Sequence, residues 1–124
     1  MVKYPLFKMA KDWSVFVKNR IHKYPISEIK FTKKGDNLEW LAERNNCSLD
    51  GLKQEIKTTK HLVFSEKQEV DHKGELETRF KCYYIYSNSR GRCFIILIGE
   101  KIKIVTAFPL GRITLNKYRK KKKI

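Results

Sequence analysis

Apolar residues recur at helical spacing from Met9 through Trp13, Phe16, Val17 and Ile21 to Tyr24, which predicts one amphipathic helix with Asp12 near its start and Pro25 just past its end. Lys33-Lys34-Gly35 breaks that pattern. Beyond the break, Asp36 is placed to cap a helix carrying Leu38, Leu41 and Ala42 that stops near Asn45-Asn46. Ser48 is placed to cap the next, which carries Leu49, Leu52 and Ile56. Residues 1–59 therefore read as mainly helical.

After Thr59 the apolar period shortens. His61 to Phe64 fits a short strand, Ser65 to Glu75 with Gly74 a polar connection or hairpin, and Leu76 to Tyr86 a longer strand. Alternation along the longer strand puts Phe80, Cys82, Tyr84 and Tyr86 on one face. Arg79, Lys81, Tyr83 and Ile85 take the other, which reads as the wetter face. Ser87 to Gly91 is turn chemistry. Cys93 to Ile98 is apolar on both faces, as a central strand would be, and Gly99-Glu100 fits a two-residue type II′ turn into Ile102 to Phe108.

That turn sets a register in which Ile98 opposes Lys101, Ile96 opposes Lys103, Phe94 opposes Val105 and Arg92 opposes Ala107 on one side. The other side pairs Leu97 with Ile102, Ile95 with Ile104 and Cys93 with Thr106. All of these are apolar or small, so this side is expected to pack on the helices and to leave Arg92, Lys101 and Lys103 partly open. The expected fold is one α+β domain: helices over 1–59 packed on an antiparallel sheet of about four strands over 60–110, followed by a basic segment over 111–124.

Charge sharpens this picture. The 124 residues carry 28 Lys and Arg against 13 Asp and Glu, a net +15, and no acid follows Glu100. Self-repulsion of that size favours a polyanionic partner, nucleic acid foremost. Leu115 and Tyr118, set among Arg112, Lys117, Arg119, Lys120 and Lys121, read as anchors for a segment that turns its cations outward. Arg79, Lys81 and Arg90 are further candidate contacts, with Tyr83 available to stack a base. Affinity should then fall steeply with salt. Three cysteines, Cys47, Cys82 and Cys93, without Cys-x-x-Cys spacing, indicate reduced thiols, no zinc site and no other cofactor, in a cytoplasmic setting. No apolar stretch reaches transmembrane length, and Lys3, Lys8 and Lys11 interrupt the run a signal peptide would need.

RNA can be cut without a metal when its 2′-hydroxyl attacks the adjacent phosphorus, given a base, an acid and cations on the developing charge. His61 is the candidate base or acid, Arg92, Lys103 and Arg112 the candidate cations, and Tyr83 a second proton donor; His22 and His72 rank below. A different constellation, Leu41 to Ser48 running into Leu52 and Ile56, has helix-turn-helix spacing, which an ordinary helical hairpin shares.

At Ile104-Val105-Thr106-Ala107-Phe108-Pro109, preceded by Arg92-Cys93-Phe94-Ile95-Ile96-Leu97-Ile98, the chain resembles the closing strands of ribonuclease toxins in the RelE, barnase and colicin grouping. Leu41-Ala42-Glu43-Arg44 followed by Ser48 to Ile56 is similar to the helical pair ahead of the sheet in some of them. The resemblance spans about Phe31 to Tyr118. It implies a metal-independent endoribonuclease, often paired with a neutralising acidic antitoxin protein, and singles out Arg44, Thr106 and, more weakly, Arg92. Where such toxins commonly carry a histidine shortly before the helical arginine, this chain has Lys33 and Lys34. The expected function is RNA binding with toxin-type endoribonuclease activity. The alternatives are a non-enzymatic nucleic-acid-binding protein such as a helix-turn-helix regulator, and an interaction module that meets an acidic protein.

Overall fold

Asp12 opens the first helix and ties it to the sheet at once, because its Oδ1 accepts from the Ser14 N–H at 2.9 Å and from the Ser65 N–H at 3.1 Å. The computed structural model describes residues 11–32 and 37–122, with the backbone alone for His72 and 120–122. Among the described residues the chain runs α1 (Ser14–Lys23), β1 (Ile29–Phe31), α2 (Leu38–Asn45), α3 (Leu49–Lys57), β2 (Leu62–His72), β3 (Glu75–Ile85), β4 (Gly91–Ile98), β5 (Ile102–Pro109) and α4 (Arg112–Lys122). The result is an α+β fold with a five-stranded mixed sheet in the order β1-β5-β4-β3-β2, in which β1 alone runs parallel to its neighbour β5.

Local chemistry explains much of this. Asn37 caps α2 by accepting from the Trp40 N–H, and Ser48 caps α3 by accepting from the Gly51 N–H at 2.9 Å. Asp36, the expected cap of α2, lies outside the described residues, as do Met9 and Lys33 to Gly35. The tight two-residue hairpin turn is Lys73-Gly74, both at positive φ as a type I′ turn requires, and it joins two 11-residue strands, β2 and β3. The connection expected over Ser65 to Glu75 is thus mostly strand. His61 stands outside the strand, at the end of a short 3₁₀ turn, Thr59–His61.

The closing hairpin departs from the expected register. Three residues, Gly99 to Lys101, make the turn, and Gly99 is not at positive φ, so type II′ geometry is absent. Ile98 opposes Ile102, Leu97 opposes Lys103 and Ile96 opposes Ile104. A bulge at Val105 then pairs Ile95 with Thr106, Phe94 with Ala107, Cys93 with Phe108 and Arg92 with Pro109. One extra residue in the turn exchanges the faces of Ile102 to Ile104 relative to β4, and the bulge restores the expected faces from Thr106 onward. Arg92, Phe94, Ile96 and Ile98 therefore lie with Ile102, Ile104 and Ala107 on the helix side, in the core built with Val17, Ile21, Leu41, Leu52 and Ile56. The side expected to be partly open is the buried one.

The opposite face of the sheet is also covered at one end. Leu115 and Tyr118 of α4 pack on Phe64, Tyr83, Ile85 and Cys93, which leaves Tyr83 5% and Ile85 1% exposed on the face expected to be wet. The Tyr118 ring lies 4.3 Å from that of Tyr83 and 5.3 Å from that of Phe64, both near parallel. An 11-residue helix so rich in like charge would be marginal alone. Burying Leu115, worth about 1.5–3 kcal/mol, together with stacking at about 0.5–1.5 kcal/mol per ring pair, supplies what propensity does not.

Candidate nucleic-acid interface

Asn45, the last residue of α2, is buried and fully engaged. Its Nδ2 donates to the Leu41 carbonyl at 2.9 Å and the Ala107 carbonyl at 3.0 Å, while its Oδ1 and main-chain O accept from Arg92 Nε at 3.0 Å and Nη2 at 2.8 Å. Arg92 Nη1 pairs with Glu55 Oε1, the oxygen that also accepts from the Tyr86 hydroxyl. Burial disfavours the charged guanidinium, but the hydrogen bond and charge of Glu55 more than offset this, and Arg92 stays cationic. Burial and the hydrogen bond to Glu55 hold the Tyr86 phenol protonated well above its ordinary range. Cys47, whose Sγ donates to Glu55 Oε2 at 3.7 Å, is likewise pushed up by burial and by the Glu55 charge.

Above this network opens a cleft of about 240 Å³ with Arg44, Arg90 and Arg92 in its walls, together with Asn45, Asn46, Tyr86 and Ser89. Among the described residues no carboxylate lines it, and Glu55 lies directly behind the wall, paired with Arg92 and Tyr86. Arg92 is held by three hydrogen bonds, to Asn45 Oδ1, the Asn45 carbonyl and Glu55, with the Tyr86 hydroxyl a further partner of its guanidinium. Arg44 enters from α2 with its Cζ 4.8 Å from the centre of the Trp40 ring and 5.2 Å from that of Phe108, a cation over two aromatic rings.

Across Ser89 and Leu110, which belong to both, the cleft adjoins a second depression of about 390 Å³ lined by Arg112, Arg119, Asn88 and Asn116, again without a carboxylate. Gly91 makes the corner possible. A Cβ there would sit 2.8 Å from Leu110 Cδ1, 2.9 Å from the Tyr84 carbonyl oxygen and 3.0 Å from Leu115 Cδ1, so a side chain would push the β5–α4 junction off β4. The loop before it closes through the Tyr86 and Ser87 N–H groups, both donating to the Arg90 carbonyl.

Of the residues expected to act together, the fold gathers Arg44, Arg90 and Arg92 at the cleft and Arg112 and Arg119 beside it. The rest of the catalytic set is dispersed. Lys103 opposes Leu97, on the face of the hairpin away from Arg92 and roughly 16 Å along the strand, and lines a separate depression of about 710 Å³ that also holds Glu77 and Glu100. Thr106 opposes Ile95 on that same outer face, so the bulge separates Thr106 from Arg92 rather than joining them. The His61 ring packs edge-on against Tyr86 at 5.2 Å, behind the cleft wall.

Among the expected contacts, Arg79 is ion-paired to Glu77 at 2.7 Å, and Lys81 opposes Glu66 with its Nζ 5.8 Å from the Tyr83 ring. Tyr83 itself is buried beneath α4 and cannot stack a base. Lys117 is exposed on α4, 5.2 Å from the Tyr118 ring, while the side chains of Lys120 and Lys121 lie outside the described residues. His22 is exposed, with Nε2 2.7 Å from Thr59 Oγ1, and the side chain of His72 is not among those described.

Sequence reasoning missed Asn45, Glu55 and Tyr86 as the frame of the cleft, and Trp40 and Phe108 as the bed for Arg44. Trp40 and Arg44 stand four apart on one helix, a legible pairing signal; nothing local marks Asn45 or Glu55 as partners of Arg92. Among the described residues no group of His, Cys, Asp or Glu could hold a metal ion, and no helix is long and apolar enough to cross a membrane. Comparison of the chain with protein-family models, curated proteins and solved structures returned no match.

Proposed function

We propose that this protein binds RNA, with the phosphodiester backbone running through the Arg44–Arg90–Arg92 cleft and on past Arg112 and Arg119. The observation that carries the reading is that two adjoining depressions hold these five arginines in their lining and, among the described residues, no carboxylate. Arginine at a concave, partly dehydrated surface suits phosphate, since its planar fork donates two parallel hydrogen bonds. The buried Arg92 adds a guanidinium whose position is set before any ligand arrives and whose charge Glu55 balances.

Duplex reading by α2 and α3 has less support. Leu41, Leu52 and Ile56 are spent in the core, and α3 places Asp50 in its first turn, where a recognition helix would meet phosphates. The endoribonuclease activity implied by the toxin resemblance asks for an acid and a base at the cleft. Tyr86 is the titratable phenol in its walls, and its proton is held by Glu55. Binding without cleavage is therefore the favoured form of the proposal. An acidic antitoxin-like protein would occupy the same carboxylate-free surface, as a competitor of RNA rather than at a site of its own.

Titration of a labelled oligoribonucleotide over a range of salt tests this. Arg44→Ala, Arg90→Ala, Arg112→Ala and Arg119→Ala should each weaken binding and flatten the salt dependence, by about one unit of slope for each phosphate no longer neutralised. Equal weakening by Lys103→Ala or Arg79→Ala would remove the cleft from the account. RNA shortened in the presence of EDTA would restore the enzymatic form.

A further inference from the structure

We propose that Trp40, backed by Arg44, forms a stacking platform for an unpaired nucleobase, which makes the ligand of the neighbouring cleft a single strand. This rests on the phosphate-binding reading above and adds what the cleft alone does not specify. Trp40 lies in the first turn of α2, its N–H engaged by the Asn37 cap, and it is 49% exposed although the opposite side of the helix delivers Leu41 and Asn45 to the interior. Leaving a large indole in water forgoes the stabilisation that burial would bring.

Its neighbours suggest what the indole is for. The Arg44 guanidinium carbon lies over both the Trp40 ring, at 4.8 Å, and the Phe108 ring, at 5.2 Å. Arg44 is also a wall of the 240 Å³ cleft. One residue therefore belongs both to an aromatic stack and to a phosphate-sized cationic pocket, the two elements that single-strand binders combine. A duplex keeps its bases stacked on one another and offers no free face to Trp40, whereas a looped or extended strand does. A protein partner would also cover an exposed indole. The charge of the adjoining cleft argues against one: Arg44, which lies over the Trp40 ring, lines it with Arg90 and Arg92 and, among the described residues, without a carboxylate, which complements a polyanion despite Glu39 and Glu43 on the same helix.

The test uses the whole chain and three ligands of equal length at one low salt concentration: oligouridylate, an abasic phosphodiester oligomer and a blunt RNA duplex. Wild-type protein should bind oligouridylate about 5- to 150-fold more tightly than the abasic oligomer, the range expected for one stacked base. Trp40→Ala should bring that ratio close to one, and Trp40→Phe should recover part of it. The chain has two tryptophans, so in a Trp13→Phe variant the remaining indole emission should be quenched by oligouridylate and not by the abasic oligomer. Equal affinity of the wild type for oligouridylate and abasic oligomer, or a preference that survives Trp40→Ala, would overturn the platform and leave the cleft standing. Binding of none of the three would overturn both, and tighter binding of the duplex would overturn the single-strand assignment.

Discussion

Arg92 of β4 and Glu55 of α3 form an ion pair across the helix–sheet interface, with the side chain of Arg92 7% exposed and that of Glu55 28%. Glu55→Ala leaves the guanidinium buried with its hydrogen bonds to Asn45 alone. The expected cost is about 2–4 kcal/mol, set below the value for a wholly buried pair because Glu55 keeps part of its surface in water. Denaturant unfolding measures it. Arg92→Ala should cost a similar amount, so a loss of function in that variant reports on folding unless stability is measured alongside.

Tyr118 and Gly91 hold the same helix from two sides. Tyr118→Ala removes the ring stacked on Tyr83 and Phe64, and Gly91→Ala places a methyl within 2.8–3.0 Å of Leu110, Tyr84 and Leu115. The first should cost about 3–5 kcal/mol as a large-to-small change, the second about 1–3 kcal/mol as overpacking. In both variants the amides of α4 should lose hydrogen-exchange protection before those of β4.

High pH should unfold the sheet through groups that resist ionisation. Burial pushes the Cys82 and Cys93 thiols up to about 12 and raises the Tyr83, Tyr84 and Tyr86 phenols as well. Because the native state keeps protons that the unfolded chain releases, their contribution to stability is complete below about pH 9 and declines as pH rises through the folded values. Tyr83, Tyr84 and Tyr86 should yield tyrosinate absorbance only as the chain unfolds. A single smooth titration of all six tyrosines, ahead of any loss of circular dichroism, would contradict this.

Ser48→Ala tests the α2–α3 hairpin separately from the cleft chemistry. Losing the hydroxyl that accepts from the Gly51 N–H should cost about 1 kcal/mol. RNA affinity, measured well below the melting midpoint, should change little.

Several elements were legible locally. The Ser48 cap, the apolar spacing of Leu49, Leu52 and Ile56, the central place of β4 and the anchoring of α4 by Leu115 and Tyr118 each depend on residues a few positions apart, where propensity and periodicity act. The closing hairpin was not legible in this way. Cys93 to Ile98 is apolar at every position, so alternation could not say which face the helices would take, and a turn of two or three residues satisfies the same local chemistry. The parallel β1 was equally hidden, since Ile29–Phe31 finds its partner more than seventy residues away in Ile102 to Ile104.

Composition, capping and apolar spacing are short-range properties, and they were enough to specify an α+β domain with a strongly cationic surface and an acid-free end. Where the cations converge was settled only in three dimensions. One extra turn residue and a bulge at Val105 sent Arg92 inward to Asn45 and Glu55 and Lys103 to the other face, and the packing of α4 on Tyr83 brought Arg112 and Arg119 beside Arg44 and Arg90. Strand register has a period of two, so a one-residue difference in a turn reverses the side chains that follow it until a bulge restores the parity, as happens here at Val105, and that choice is made by what the whole sheet can bury.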